Sequence, residues 1–421
     1  MISHRDAAKW SAFEWTKNVK HVRASGDGAV GVLFIWASDV PAVGGAFTIP
    51  TASFVVKPLA GSAVSTRFAE MVLTKVAGVD SPDSIEVARA SKGFNGVLAV
   101  IDDALKAGLL SEERARPYKT AQSFVLQKMM SGYREMANDL EPGGGPDAIV
   151  RIITNAALMR NMGKLAAADM IIGNGDRIEA MNMGNIMFRD DGTIAAIDSA
   201  SILASFEQLV KQNDVREGTL GMHGDSRATM RRAYVEKIAF GGISAPTDQQ
   251  IQDMQTTGPG RIKVMLAPSA SLQDAGVSNM MNGTMFDNMQ RILQNKIKNR
   301  VASQHPLNEP SEIEWGFGKS HFQMGLKEGL AIIDTLLGGK AKFKRAFTGS
   351  GAWKELKSEF KQAGLDGTDA NFSWHNLTIR REVYRSLRNG EGIDDAIERG
   401  AGLAEKKEKK AASIFGRNRK L

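Results

Sequence analysis

The chain has 421 residues, more than one small domain needs and enough for two compact units. Hydrophobic residues supply 43% and charged residues 24%, an ordinary globular balance that excludes disordered, collagen-like and coiled-coil readings for the bulk of the chain. Cysteine is absent, which removes disulfides, thiolate metal sites and cysteine nucleophiles together. The longest apolar run, Ala29–Ala37, is about half of what crosses a bilayer, so no transmembrane helix is expected.

The first residues, MISHRDAAKWSAFEW, mix charges with aromatics and lack the apolar core of a Sec signal peptide. The expected location is the cytoplasm, or a host cytosol if the chain is a delivered effector. Against 47 acidic residues stand 54 Lys and Arg, a net charge of +7. Most of the excess lies in residues 404–421, where seven basic residues face two glutamates. Such a run reads first as a solvated tail, with an anionic membrane or an acidic partner as the alternative. The body has no interleaved basic and aromatic pattern, so no nucleic-acid partner is expected.

In chain order, Val19–Ser25, Val32–Ala37 and Ser53–Val56 read as strands separated by turn-forming residues. Ser62–Ala77 reads as a helix with Val64, Phe68, Met71, Val72 and Val76 on one stripe. A second helix is expected over Asn95–Ala107 with Asn95 as its cap, then a strand over Ser123–Met130. After the turn cluster Glu141–Pro146 the pattern becomes helical, and Asp147 is expected to cap one long segment reaching Ile172. A helix-like run covers Ile202–Gln212, and Thr256–Ser278 reads as a surface loop. The fold class is therefore α+β with two lobes. Residues 1–131 form a small β-rich unit, 132–403 a larger mostly helical one, and 404–421 the basic tail.

Four groups of residues carry chemistry. Gly26, Gly28 and Gly31 match a G-x-G-x-x-G pattern that is weak alone, because 43 residues are glycine. It lies between two strands, which fails the dinucleotide-binding context and leaves a phosphate-covering hairpin or a plain tight turn. Lys57 ends the apolar strand Phe54-Val55-Val56, where an ammonium needs a partner. Glu70 lies in the middle of a helix that is apolar on both sides, a candidate buried carboxylate. Lys57 is its expected cation; an exposed Glu70 pairing with Arg67 is the alternative. The densest signal is Asp176-Arg177 closing an apolar helix, then Asn182 and Asn185, then the short strand Ile194–Ile197 ending in Asp198. One carboxylate to accept a hydroxyl proton, with an Asn and an Asp to hold Mg²⁺, is what phosphoryl transfer requires. Isolated Asx turns are the plainer reading. The six histidines are scattered without ligand spacing, and no histidine metal site is expected.

Taken in order, Val56-Lys57-Pro58, Ile172-Gly173-Asn174-Gly175-Asp176-Arg177, Gly184-Asn185-Ile186-Met187 and Ile197-Asp198 resemble the protein-kinase superfamily. The match is to the atypical branch that holds the actin-fragmin kinases, with phosphoinositide kinases and HipA-type kinases more distant. It covers about residues 19–205. The resemblance implies a bilobal kinase-like fold binding ATP and Mg²⁺, with the backbone of Gly26, Gly28 and Gly31 over the phosphates. Lys57, fixed by Glu70, would hold the α- and β-phosphates. Backbone groups around Gln127 and Met129 would meet adenine. Asp176 would be the catalytic base, and Asn185 and Asp198 the metal ligands.

Two departures stand out. Asp176 and Asn185 are nine residues apart, against about five in conventional kinases, so Asn182 is an alternative ligand. Asp198 is followed by Ser199-Ala200 rather than Phe-Gly, which implies little activation-loop switching. The expected function is transfer of the γ-phosphoryl group of ATP to a Ser or Thr hydroxyl of a protein, with actin a candidate substrate by resemblance. AMP transfer or glutamylation on the same fold, a pseudokinase scaffold and a lipid kinase are the alternatives.

Overall fold

The computed structural model describes residues 19, 21–24, 32–36, 54–59, 64–74, 78–82, 84–89, 91–130, 132–141, 144–172, 174, 177, 182–199, 235, 284–301, 305–337, 342, 345, 377–383, 385–386, 391, 394–403 and 406. Gly26, Gly28, Gly31, Asp176, the expected helix at 202–212, the expected loop at 256–278 and the basic tail apart from Lys406 lie outside the described residues.

Five strands form one antiparallel sheet: β1 (His21–Ala24), β2 (Leu33–Trp36), β3 (Phe54–Leu59), β4 (Ser84–Ala88) and β5 (Ser123–Lys128), in the order β1-β2-β3-β5-β4. Side chains alternate across a strand, so Phe54 and Val56 enter one face while Val55 and Lys57 fall on the other. The first face is the core. Leu33, Ile35, Val56, Ile85, Phe124 and Leu126 pack there against Phe94, Val97 and Ile101 of α2 (Lys92–Lys106) and Tyr118 of α3 (Glu112–Thr120). Phe94 stacks on Phe124 with centroids 4.3 Å apart.

The cap of α2 is Ser91, whose Oγ accepts from the Phe94 amide, and not Asn95, which lies inside the first turn. A serine in extended backbone, three residues before a free helical N–H, meets the capping requirement earlier than Asn95 does. The helix α1 (Val64–Val72) reaches the second face of the sheet through Glu70. It falls within the expected Ser62–Ala77, and its turns continue to Thr74; residues 62–63 and 75–77 lie outside the described ones. The strand β4 and helix α3 were not anticipated.

A second, three-stranded sheet follows: β6 (Arg134–Glu135), β7 (Ile186–Phe188) and β8 (Ile194–Ala196), in that order. The chain just after α1 joins it, because Asp80 bridges Ala195 and its carbonyl accepts from the Ala196 amide at 2.8 Å. The single helix expected from Asp147 to Ile172 is two, α4 (Ala148–Thr154) and α5 (Ala156–Ile172). Asn155 breaks it. Its ψ of 98° leaves the helical region, and its Oδ1 caps α5 by accepting from the Leu158 amide at 3.0 Å. The Asp147 carboxylate does not cap α4; it accepts from Asn308 Nδ2 at 2.7 Å.

Two long helices follow, α6 (Thr284–Arg300) and α7 (Glu312–Leu337), and residues 377–383 and 394–403 are helical as well. The most extensive helix–helix contact is α5 on α7. Glycine permits it: a Cβ at Gly163 would run into the Phe322 carbonyl oxygen, and one at Gly325 into the Arg160 carbonyl oxygen. Beside this seam Arg160 and Lys164 grip Glu328. The Arg160 guanidinium holds the Glu328 carboxyl below its ordinary range. A depressed carboxylate stabilises the fold above its unfolded pKa and loses that contribution as the pH falls through the lower folded value. At this half-exposed position the contribution is small. Among the described residues no helix is long and apolar enough to cross a membrane.

The seam predicts opposite outcomes for two glycines of α7. Gly325→Ala must push two backbones apart and should cost about 3 kcal/mol in urea denaturation. Gly316 faces open space, so Gly316→Ala should be neutral or gain up to about 1 kcal/mol in helix propensity.

Candidate functional site

Lys57 and Asp198 are brought together. Lys57 lies on the second face of the central strand β3, opposite Val125 of β5. Asp198 sits two residues past β8. Their side chains meet with Nζ to Oδ1 at 3.0 Å across 141 residues of sequence. Lys57 is 19% exposed and Asp198 63%, so the pair lies at a surface with the carboxylate toward solvent.

Asp198 has φ +53°, the one positive φ at a non-glycine residue among the described residues. Aspartate tolerates this region better than most side chains, yet it still carries a cost of order 1 kcal/mol. Its neighbours hold it there. Arg177, fully buried, donates from Nε to Asp169 Oδ2 at 3.1 Å and from Nη2 to Asp169 Oδ1. Its Nη1 donates to the Ile197 carbonyl at 2.9 Å and to Ser199 Oγ at 3.0 Å. One guanidinium thus ties the residues on both sides of Asp198 to helix α5. Asn185 lies across the hairpin, its carbonyl accepting from the Ile197 amide at 3.1 Å. It is 9% exposed, whereas Asn182 is exposed.

Glu70 is buried as expected, but its cation is Arg67 rather than Lys57. Arg67 Nη1 lies 3.4 Å from Glu70 Oε2, and both side chains are almost wholly enclosed. The Ser84 amide donates to Oε2 at 3.1 Å, Gln127 Nε2 donates to Oε1 at 3.2 Å, and the Ser84 hydroxyl donates to Oε1 as well. The register explains the difference. Val55, Gln127 and Ser84 form one row across the sheet, while Lys57, Val125 and Glu86 form the next. Helix α1 sets Glu70 over the first row, where three neutral donor groups from Ser84 and Gln127 and a buried guanidinium meet it.

Gln127 is therefore a side-chain ligand of Glu70, with ladder partners on both flanks. Met129 lies one residue beyond β5, outside the ladder. The segment that follows is pinned by Tyr133, whose hydroxyl donates to the Asp80 carboxylate and whose ring lies 4.1 Å beneath the Arg189 guanidinium. Burial, then the Asp80 hydrogen bond, pushes the Tyr133 phenol above its ordinary range.

Asn185 and Asp198 offer hard oxygen donors on neighbouring strand ends. Among the described residues no group of three or more His, Asp or Glu gathers around one point. Two protein oxygens suit Mg²⁺, which keeps waters and takes the rest of its shell from phosphates, better than they suit a metal held by protein alone. A separate polar groove of about 670 Å³ lies between α6 and the start of α7, bordered by Gln290, Gln294, Glu309, Trp315 and Lys319. None of the residues expected from sequence lines it.

Sequence reasoning missed Asp169, Ser84 and the structural role of Arg177. Asp169 carried a readable signal: a carboxylate in the apolar run Leu165–Ile172 needs a buried cation, as Glu70 does. No protein-family model matches the chain, and a search of curated proteins finds no significant match.

These partners separate two residues expected to act as a pair. Glu70→Ala removes the buried acceptor that Arg67, Ser84 and Gln127 share and should cost about 3–5 kcal/mol in urea denaturation. Lys57→Ala removes a partly exposed ion pair and should cost less than about 1 kcal/mol.

Proposed function

We propose that the chain is an ATP- and Mg²⁺-dependent protein kinase of the atypical, actin-fragmin-like type. In this reading the five-stranded sheet with α1 to α3 is the small lobe, and the mostly helical remainder is the large one. The carrying observation is the 3.0 Å meeting of Lys57 and Asp198, a strand cation and a loop carboxylate drawn from opposite ends of the matching region. Lone Asx turns and a lone strand lysine give no reason for that convergence. The left-handed backbone at Asp198 and its buried supports add to the reading, since strain of this kind gathers at functional positions.

Each residue has a task. Lys57 neutralises α- and β-phosphate charge from the sheet side. Asn185 and Asp198 would hold Mg²⁺, whose chemistry is to offset the negative charge on the transferring phosphoryl group. Met129, one residue past β5, would offer backbone groups to adenine. Asp176, next to the anchored Arg177 in sequence, takes the hydroxyl proton of the acceptor. The hydroxyl oxygen bonds to the γ-phosphorus, the bond to the bridging β–γ oxygen breaks, and ADP leaves. Glu70 contributes by fixing α1 and β4 to β5 rather than by gripping Lys57. The acceptor class is a protein Ser or Thr, with actin the first to try on the strength of the resemblance.

Parallel incubation of lysate with γ-labelled and α-labelled ATP tests this. The expected result is protein labelling from the γ position only, reduced at least about a hundredfold in Asp198→Ala and Asp176→Ala. Labelling from the α position would mean AMP transfer instead. Transfer by Asp176→Ala at the wild-type rate would overturn the base assignment.

A further inference from the structure

We infer that Arg177 is a positioning residue: its buried guanidinium sets the backbone turn that presents Asp198 to the metal. This rests on the reading of Asp198 as a metal ligand and adds the element that aims it. Charge balance alone does not account for the arrangement. Asp169 already neutralises Arg177 through two of its nitrogens, and both side chains are enclosed, at 0% and 2% exposure. The remaining nitrogen, Nη1, is spent on the Ile197 carbonyl and the Ser199 hydroxyl. Those residues flank Asp198 on either side, and between them the backbone takes φ +53°.

A planar guanidinium can serve a carboxylate and two further acceptors at once because its donors lie in a fixed fork; a lysine ammonium cannot match that geometry. Asp169 belongs to α5, the helix seated on α7 through glycine contacts. The turn at 197–199 is thereby referenced to the most extensive helix pair of the described body. A metal ligand on a short turn needs such support, because outer partners of ligating carboxylates commonly govern affinity by ten- to a hundredfold, roughly. Ser199 stands where conventional kinases carry the phenylalanine of Asp-Phe-Gly, and here its hydroxyl is the handle Arg177 holds.

Two variants separate positioning from folding. Arg177→Lys keeps the charge opposite Asp169 but cannot also reach Ile197 and Ser199. Ser199→Ala leaves the ion pair intact and removes one of the contacts flanking Asp198. The probe is Mn²⁺ with the non-hydrolysable analogue AMP-PNP, read by electron paramagnetic resonance, alongside the urea midpoint of each protein.

Wild type should bind Mn²⁺ saturably, and Asp198→Ala should lose that binding. Arg177→Lys should weaken it about tenfold or more, and Ser199→Ala several-fold, with a Ser199→Ala midpoint close to wild type. Should Arg177→Lys fail to fold, Ser199→Ala decides alone. Wild-type affinity in both folded variants, with binding still lost in Asp198→Ala, would overturn the positioning role and leave the nucleotide reading standing. No Mn²⁺ binding by wild type, or full binding by Asp198→Ala, would overturn the nucleotide reading and the positioning role with it.

Discussion

A guanidinium with no exposed surface has to be answered on every side, and Arg177 is the point around which this structure is arranged. The cost of burying a charge of this kind is several kcal/mol before compensation. Compensation comes from Asp169 on helix α5 and from the turn after β8, so the helix end and the turn cannot move independently. The same turn touches the five-stranded sheet through Asp198 and Lys57. The loop after α1 reaches the second sheet through Asp80. Two sheets and a helix pair are linked by a handful of polar contacts, each of which would be expensive to leave unmatched.

The second buried charge, Glu70, follows the same rule with a different result. A carboxylate at this depth takes whichever donors lie within reach: the register supplies Ser84 and Gln127, and its own helix supplies Arg67 one turn earlier. Lys57 is one row away and is left for Asp198. In the proposed kinase, the ammonium that holds phosphates is thus steadied from the loop side, while α1 is locked to the sheet without it. An α1 anchored this way has little reason to swing, in keeping with a chain in which Ser199-Ala200, and not Phe-Gly, follows Asp198.

Much of the fold was legible because apolar periodicity is set by short-range geometry. The strands at Val19–Ser25, Val32–Ala37 and Ser53–Val56, the helix around Glu70 and the strand at Ser123 all appear within a few residues of their expected places. The α3 helix escaped notice because EERARPYKT is polar and carries Pro117. The break at Asn155 was missed because its neighbours are apolar on both sides, and only a side chain capping the next turn reveals it. At the site, Lys57 and Asp198 were expected in one centre and are in contact, and the burial of Glu70 was readable from its two-sided apolar helix. Its partner was not, since that depends on which of two adjacent sheet rows α1 covers. Arg177 was noticed for its place after Asp176, yet its function lies in contacts that no local pattern encodes.

The central claim is that Lys57 and Asp198 frame a site for ATP with Mg²⁺. Thermal unfolding of the full chain in millimolar ATP, with Mg²⁺ and then with EDTA, tests it most directly, because a ligand bound only by the folded state raises the melting temperature by mass action. The account predicts a rise with ATP and Mg²⁺ together that is largely lost in EDTA. An identical melting temperature with and without saturating ATP and Mg²⁺ would contradict it.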